Sequence, residues 1–291
     1  MKEKFQDWNP SAATRVRLDQ IVKVLKEYAA MDIRLTLRQL YYRLVSSDII
    51  PNQQKEYKKL GTVLANARLA GLVDWEAIED RVRHPDRHSQ WENIPSLVRS
   101  AIAAYRRPRW EDQSNYVELW CEKDALRSVL DPITDDLHVT LMVNRGYSSI
   151  SAMYDSAKRM IHAAEDGKDC HILYLGDFDP SGEDMVRDVR DRMGVLDASG
   201  VRVRKIALTQ EQIDEFKPPP NPAKQTDSRY QGFANKHGDQ SFEVDALPPK
   251  SLMEIVRDSI EGLMDMEAYR AWESKEEAEK AKLVKAAKLI V

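Results

Sequence analysis

The sequence contains only two cysteines, no run of about 18 apolar residues and no internal repeat. So few thiols exclude the disulfide framework that holds small secreted domains together. Cys121 and Cys170 both fall in apolar segments that predict buried strands, so we expect free core thiols in a cytoplasmic protein. Because neither an apolar run nor a signal-peptide pattern is seen, we expect no membrane partner.

A net basic charge, which is usual for proteins that bind nucleic acid, is also missing. The 44 Lys and Arg against 48 Asp and Glu give a formal charge of −4. Residues 1–110 nevertheless hold 20 Lys and Arg against 13 Asp and Glu, or +7, which leaves 24 against 35, or −11, for residues 111–291. Because salt screens charges beyond ~8 Å, DNA responds to local charge more than to the total. The amino-terminal part is therefore the candidate DNA-binding region.

Two carboxylates follow an apolar run in the segment Leu173–Gly182, which reads LYLGDFDPSG. Residues Cys170 to Leu175 predict a buried strand, and a helical pattern begins near Glu183. Asp177 and Asp179 therefore lie at the carboxyl edge of a strand, where wound sheets bind ligands, and they predict a divalent-cation site. A capped turn without a cation gives the same D-x-D pattern.

A third carboxylate, Glu122, follows the apolar strand Tyr116 to Cys121 at a similar switch into a helix. Another apolar run, Val139 to Val143, and a helical segment from Ser148 to Ala164 lie between the two acidic positions. This alternation predicts an α/β fold with a mainly parallel sheet flanked by helices. Since parallel strands end at one edge, Glu122 and the two aspartates predict a Mg²⁺ site there.

These motifs carry a family resemblance. Glu122-Lys123 after the first strand, RGYSS (145–149) after the second and GDFDPSG (176–182) after the third resemble the Toprim domain of the topoisomerase VI A subunit. The segment TLRQLYYR (36–43) begins with an N-cap threonine and is similar to the R-[acidic]-x-[aromatic]-Y motif of the type IIB topoisomerase A subunits and their meiotic strand-break relatives. Gln39 departs from this motif, in which an acidic residue is usual.

The resemblance implies a winged-helix (CAP-like) DNA-binding domain over residues 1–110, followed by a Toprim domain over residues 111–291. It implies that Tyr42 forms a reversible 5′-phosphotyrosyl link in a homodimer, where the tyrosine of one protomer meets the metal site of the other. A phenol with a pKa near ~10 requires a base or nearby positive charge to attack a phosphodiester, and Arg38 and Arg43 can supply that charge. The predicted catalytic residues are Tyr42, Arg38, Glu122 and Lys123, and the predicted Mg²⁺ ligands are Glu122, Asp177 and Asp179.

The amino-terminal pattern also has a plainer interpretation. It predicts three helices, over residues 15–28, 36–46 and 54–69, and a wing formed by Leu72–Trp75 and Ile78–Val82. A small packing domain without a nucleic-acid role gives the same pattern, and Tyr41 and Tyr42 are then core residues. Tyr57 is the substitute candidate for the nucleophile.

Three arginines, Arg106, Arg107 and Arg109, lie in the linker between the two predicted domains. They are predicted with Arg43 to contact DNA phosphates, although charge runs are commonly solvated surfaces. Further along, residues 217–239 predict a long irregular loop. Ser241 to Leu247 alternates like an edge strand, which we favour over the alternative that Glu243 or Asp245 approaches the metal site. The remaining sequence predicts helices, over residues 252–264 and 267–290.

Three functions remain open from the sequence. The first is metal-dependent DNA cleavage, with or without rejoining, through Tyr42. The second is a Toprim nuclease that hydrolyses DNA with metal-activated water, and the third is a DNA-binding protein without catalysis. No ATPase module is recognisable, so ATP-driven strand passage would require a separate ATPase subunit. The expected partners are DNA and a second copy of the chain, and the expected location is cytoplasmic and nucleoid-associated.

Overall fold

The computed structural model describes residues 2–31, 33–78, 88–144 and 148–288. Within these ranges the chain has an α/β fold, in which a four-stranded parallel sheet is flanked by helices and preceded by a helical unit. Residues 145–147 of the RGYSS motif and residues 79–82 of the predicted wing lie outside the described residues.

The amino-terminal unit contains three helices that confirm the predicted helical pattern: α1 (Ala12–Ala29), α2 (Leu37–Ser46) and α3 (Gln54–Leu69). Thr36 begins α2 as an N-cap, and its hydroxyl and the side chain of Gln39 form a capping box. Gln39 therefore caps the start of α2, at the position where the family motif has an acidic residue. The apolar faces of the three helices meet in one buried cluster that includes Ile21, Leu40 and Leu64.

The predicted wing differs from the structure. Leu72–Trp75 forms no strand, and Trp75–Ala77 is a single 3₁₀ turn whose first backbone donors are capped by Asp74. Ile78 makes one isolated bridge with Leu35. Helix α4 (Ile94–Ala104) then leads to the sheet.

The sheet contains β1 (Asn115–Cys121), β2 (Thr140–Val143), β3 (Asp169–Leu175) and β4 (Arg202–Ala207), in the spatial order β2-β1-β3-β4. All three strand pairs are parallel. The connections between them contain α5 (Arg127–Leu137), α6 (Ile150–Glu165) and α7 (Pro180–Val195). The structure confirms the predicted alternation of strands and helices, and β1, β2 and β3 agree with the predicted strands to within one residue at each end.

Side chains alternate between the two faces of the sheet, as the pleat requires. Leu119 and Leu173 pack in one apolar cluster with α5, whereas Trp120 and Ile172 pack in a second cluster with α6 and α7. Because Cys121 lies opposite Leu175, β1 and β3 end together, and Glu122 follows one strand while Gly176 follows the other. The fold therefore brings the two acidic segments to one edge.

The chain after the sheet corrects two predictions. The segment 217–239, predicted to be irregular, contains β5 (Asn221–Pro222) and α9 (Tyr230–His237), and it follows α8 (Gln210–Phe216). The predicted edge strand Ser241–Leu247 is wrong, because β6 (Gln240–Ser241) pairs with β5, Phe242 makes an isolated bridge with Phe178, and Val244–Ala246 is a 3₁₀ turn. The physical reason is a long-range backbone pair, in which Phe178 and Phe242 donate to each other's carbonyls at 2.8 and 2.9 Å.

Two further helices end the described chain, α10 (Pro249–Glu261) and α11 (Met266–Ala287). No helix in the described ranges combines the length and the apolar character needed to cross a bilayer. Cys121 and Cys170 are buried and unpaired with each other, which confirms the prediction of free core thiols.

Candidate active site

The acidic turn that follows β3 is shaped by close backbone contacts. Asp179 caps α7, since its Oδ1 accepts from the Gly182 N–H at 2.6 Å and from the Ser181 hydroxyl at 2.9 Å. A Cβ on Gly182 would lie 2.2 Å from the Asp177 carbonyl oxygen, so only glycine fits there. Asp179 thus acts as a helix cap, and Asp177 is left to face the interior of the site.

Three carboxylates meet beside this turn. Ligand oxygens of Asp177, Glu243 and Asp245 all lie within 4.8 Å of one another, and we call these three residues the acidic cluster. The Phe178–Phe242 backbone pair brings the second segment to the turn, and the Val244 N–H donates to Asp177 Oδ1 at 2.9 Å. Of the three predicted ligands, the structure therefore brings only Asp177 into the cluster.

Glu122 borders the turn without joining the acidic cluster. Its Oε2 accepts from the Asp177 N–H at a long 3.4 Å, and a Cβ on Gly176 would lie 3.3 Å from the same oxygen. Burial raises the pKa of Glu122, and the ammonium of Lys123 opposes that shift. The roles of Glu122 and Asp179 as cation ligands stay predictions.

The ammonium of Lys123 lies among the carboxylates of the acidic cluster. Its Nζ is 2.7 Å from Asp177 Oδ1 and 2.8 Å from Asp245 Oδ1, and it also pairs with Glu243. Burial alone would lower the pKa of Lys123, but the three carboxylates raise it, so the side chain stays protonated. The predicted catalytic lysine is therefore the internal counter-charge of the cluster.

The acidic cluster suits a divalent cation in its donor chemistry. Asp245 Oδ2 is buried without a hydrogen-bond partner, although Arg38 Nε lies 3.3 Å away as an ion pair whose direction makes no hydrogen bond. Burial raises the pKa of Asp177 to about 7, and the charges of Glu243 and Asp245 add to the shift. Three hard carboxylates with one unbonded inner oxygen form a donor set that Mg²⁺ prefers.

The predicted nucleophile lies against the same cluster, in the same chain. Arg38 of α2 pairs with Glu243 and Asp245, and its guanidinium lies 5.8 Å from the ring centroid of Tyr42. Arg43 donates to the Ala246 carbonyl and so fixes α2 to the 3₁₀ turn. These contacts give Arg38 and Arg43 partners within the protein that their sequence alone does not indicate.

Tyr42 is only 4% exposed. Burial raises the pKa of its phenol and Glu243 adds to that shift, whereas Arg38 opposes it. Its neighbour Tyr41 donates to Asn52 Oδ1 at 2.9 Å and packs edge-on against Tyr42 and Tyr57. All three aromatic rings thus belong to the packing of the amino-terminal unit, as the plainer interpretation of the sequence expects.

The three linker arginines differ in their exposure and in their partners. Arg109 is buried, with ion pairs to Glu276 at 3.0 Å and Glu273 at 2.9 Å on α11, so two carboxylates of the chain engage its guanidinium and its contact with DNA stays a prediction. Arg107 stacks 4.9 Å from the Trp272 ring centroid, also on α11. Arg106 is exposed and bonds backbone carbonyls, which leaves it the linker arginine that is accessible to a phosphate.

The sequence alone favours a plain strand over a place in the site for Glu243 and Asp245. A usable signal is their spacing, since residues two apart in an extended segment face the same side. Comparison with known proteins adds no family, because no protein-family model matches the chain and no curated protein matches it significantly.

Proposed function

We propose that the protein is a metal-dependent DNA-cleaving enzyme with a winged-helix and Toprim layout similar to that of the topoisomerase VI A subunit. One observation carries this proposal: Arg38 links the helix that bears Tyr42 to an acidic cluster whose chemistry suits Mg²⁺. A tyrosine, an arginine and clustered carboxylates are the groups that phosphotyrosyl transfer requires.

In the proposed reaction the Tyr42 oxygen attacks phosphorus, the bond from phosphorus to the 3′ oxygen breaks, and the 3′ hydroxyl leaves with a proton. When bound, Mg²⁺ supplies charge neutralisation at the phosphate and at the departing oxygen. Asp177, Glu243 and Asp245 would hold it, with Glu122 and Asp179 as nearby candidates. Arg38 orients the phosphate and favours the phenolate, since its charge already opposes the raised pKa of Tyr42.

Hydrolysis by water at the same cluster is the second candidate, and a specific observation favours it. Tyr42 is buried, and its raised pKa disfavours the phenolate that attack requires. Transesterification therefore requires the phenol of Tyr42 to become accessible to DNA, whereas hydrolysis does not.

The deciding experiment uses 3′-labelled duplex DNA with Mg²⁺ on denaturing gels. The unaltered protein is expected to give cut DNA and a covalent protein–DNA adduct, and Tyr42→Phe is expected to lose both. Tyr41→Phe, which removes the adjacent phenol, is the matched control and should keep both. Cutting that survives in Tyr42→Phe would establish hydrolysis instead. No nicks in supercoiled plasmid, with DNA binding unaffected by chelator or by Asp177→Ala, would leave only a DNA-binding protein.

We also propose a homodimer, with a separate ATPase subunit for any strand passage. The placement of Tyr42 beside the cluster of its own chain makes a test available. Inactive Tyr42→Phe and Asp177→Ala proteins are mixed, and cutting is measured. Restored cutting would mean that the two groups act from different protomers, and no restoration would mean that they act within one.

A further inference from the structure

A second lysine, Lys205, holds the acidic turn from the side of β4. Its side chain is only 12% exposed. Its ammonium donates to the Asp177 carbonyl oxygen at 2.8 Å and to Glu183 Oε1 at 2.5 Å, and it lies 5.6 Å from the Phe178 ring centroid. One largely buried cation thus contacts the beginning of the turn, its aromatic residue and the first turn of α7.

The contacts of Lys205 differ in kind from those of Lys123. Lys123 bonds the ligand oxygens themselves, so a cation entering the cluster must displace it. Lys205 reaches Asp177 through the backbone carbonyl oxygen and makes no bond to its carboxylate oxygens, for which a bound cation would compete. Its bonds therefore persist when the cluster binds a cation.

We propose that Lys205 is a positioning residue, which sets the direction of the Asp177 carboxylate by fixing the carbonyl of the same residue. The inference rests on the proposed function, in that the acidic cluster binds a divalent cation. The opposite side of the turn is fixed by the Phe178–Phe242 backbone pair and by the Val244 N–H bond to Asp177 Oδ1. On the β4 side, backbone bonds join Gly176 to Ala207 and Leu208, and Lys205 supplies the side-chain bond to the carbonyl of Asp177 itself.

The direction in which replacing Lys205 changes the cation affinity distinguishes a positioning role from a simple electrostatic one. Removing a positive charge near a cation site strengthens cation binding by Coulomb's law. Removing a residue that orients a ligand side chain weakens cation binding, typically by roughly 10- to 100-fold for residues that contact the ligands and not the cation. Lys205→Met is therefore expected to lower the affinity for Mn²⁺ by roughly 10-fold or more, against the electrostatic expectation.

The neighbouring strand residue offers a matched control. Arg204 lies next to Lys205 on β4, is exposed, and falls on the other face of the strand. Arg204→Met removes the same charge without touching the turn, so it should leave Mn²⁺ affinity equal or slightly higher. Lys205→Arg retains a cationic donor and should recover most of the affinity that Lys205→Met removes.

Mn²⁺ binding is measured by calorimetry on the full chain, with thermal melting to show that each variant is folded. Lower affinity in Lys205→Met, recovery in Lys205→Arg and no loss in Arg204→Met are the expected results. Equal or tighter binding by folded Lys205→Met would overturn the positioning role. Mn²⁺ binding without DNA cutting by the unaltered protein would refute the proposed function alone, whereas no Mn²⁺ binding would refute both.

Discussion

At the scale of single residues, the acidic cluster is organised by the charge of Lys123. Three carboxylates this close repel one another, and the largely buried ammonium offsets that repulsion. A divalent cation offers the same oxygens a larger charge. If the cluster binds a metal ion as proposed, that ion and the lysine of the chain exclude each other.

Lys123→Met tests this exclusion. Without metal, the variant leaves Asp177 without its ion-pair partner and leaves Glu243 and Asp245 with Arg38 alone, and we expect the unfolding free energy to fall by about 3 to 5 kcal/mol. Saturating Mn²⁺ should recover more stability in the variant than in the unaltered protein, because no ammonium competes. Urea unfolding with and without Mn²⁺ measures both effects. Lys250→Met, at an exposed lysine, is the control. An unchanged response to Mn²⁺ would contradict the exclusion.

At the scale of elements, α11 holds the linker through one buried carboxylate. Burial alone would raise the pKa of Glu276, but bonds from Arg109, Lys280 and the Arg107 N–H lower it to about 2. A carboxylate whose pKa is lower in the folded than in the unfolded state stabilises the fold at pH values above its unfolded-state pKa. That stability is lost as the pH falls toward its folded-state pKa. The junction between linker and α11 should therefore weaken in acid.

We expect Glu276 to contribute about 3 kcal/mol of pH-dependent stability, lost as pH falls from the ordinary glutamate pKa toward 2. Glu276→Gln should be less stable than the unaltered protein at neutral pH and should show a shallower fall in acid. Urea unfolding over a pH series measures the two slopes. Glu277→Gln, at the exposed neighbour on α11, should keep the original slope. Parallel curves for the unaltered protein and Glu276→Gln would contradict the assignment.

The start of α7 provides a second test at this scale. Gly182→Ala would place a methyl group 2.2 Å from the Asp177 carbonyl oxygen. We expect it to lower stability by about 2 kcal/mol or more, because backbone must move. Gly194 lies in the same helix with nothing within 4 Å of an added Cβ, so Gly194→Ala should be neutral or stabilising by up to about 1 kcal/mol. Thermal or urea unfolding compares the two. Similar stability in both variants would contradict the close approach.

Particular elements show which parts of the structure the sequence predicts and which it does not. Helix α3 begins at Gln54 and ends at Leu69 as its periodicity predicts, since helix bounds depend on neighbouring residues. The local pattern around Glu243 and Asp245 predicts an ordinary strand. This prediction is wrong because the backbone pair that positions both residues joins Phe242 to Phe178, far away in the chain. Lys205 is likewise one of three basic residues in β4, and only its contacts with the turn distinguish it from Arg202 and Arg204. Local patterns predict elements, whereas long-range bonds decide which side chains form the site.

At the scale of the whole molecule, the uneven charge predicts which end would contact DNA in the proposed function. The basic residues of the linker are largely used internally, because Arg107 and Arg109 contact α11. Helix α3 instead presents Lys55, Lys58 and Lys59 to solvent. If the amino-terminal unit binds DNA, these lysines are accessible to phosphates, and they lie on the third helix of the unit, which is the recognition helix in the three-helix homeodomain variant of the helix-turn-helix.

Replacing all three lysines of α3 with Gln should weaken DNA binding, because each lysine that neutralises a phosphate releases a counterion. The slope of log affinity against log salt should become shallower by about 0.9 for each phosphate that is no longer neutralised. Replacing three exposed lysines at the end of α11, Lys282, Lys285 and the C-cap residue Lys288, with Gln removes the same charge from the other end and should leave the slope unchanged. Fluorescence anisotropy over a salt series measures both slopes. Equal changes in the two variants would show that DNA responds to total charge, and no change in either would remove α3 from the interface.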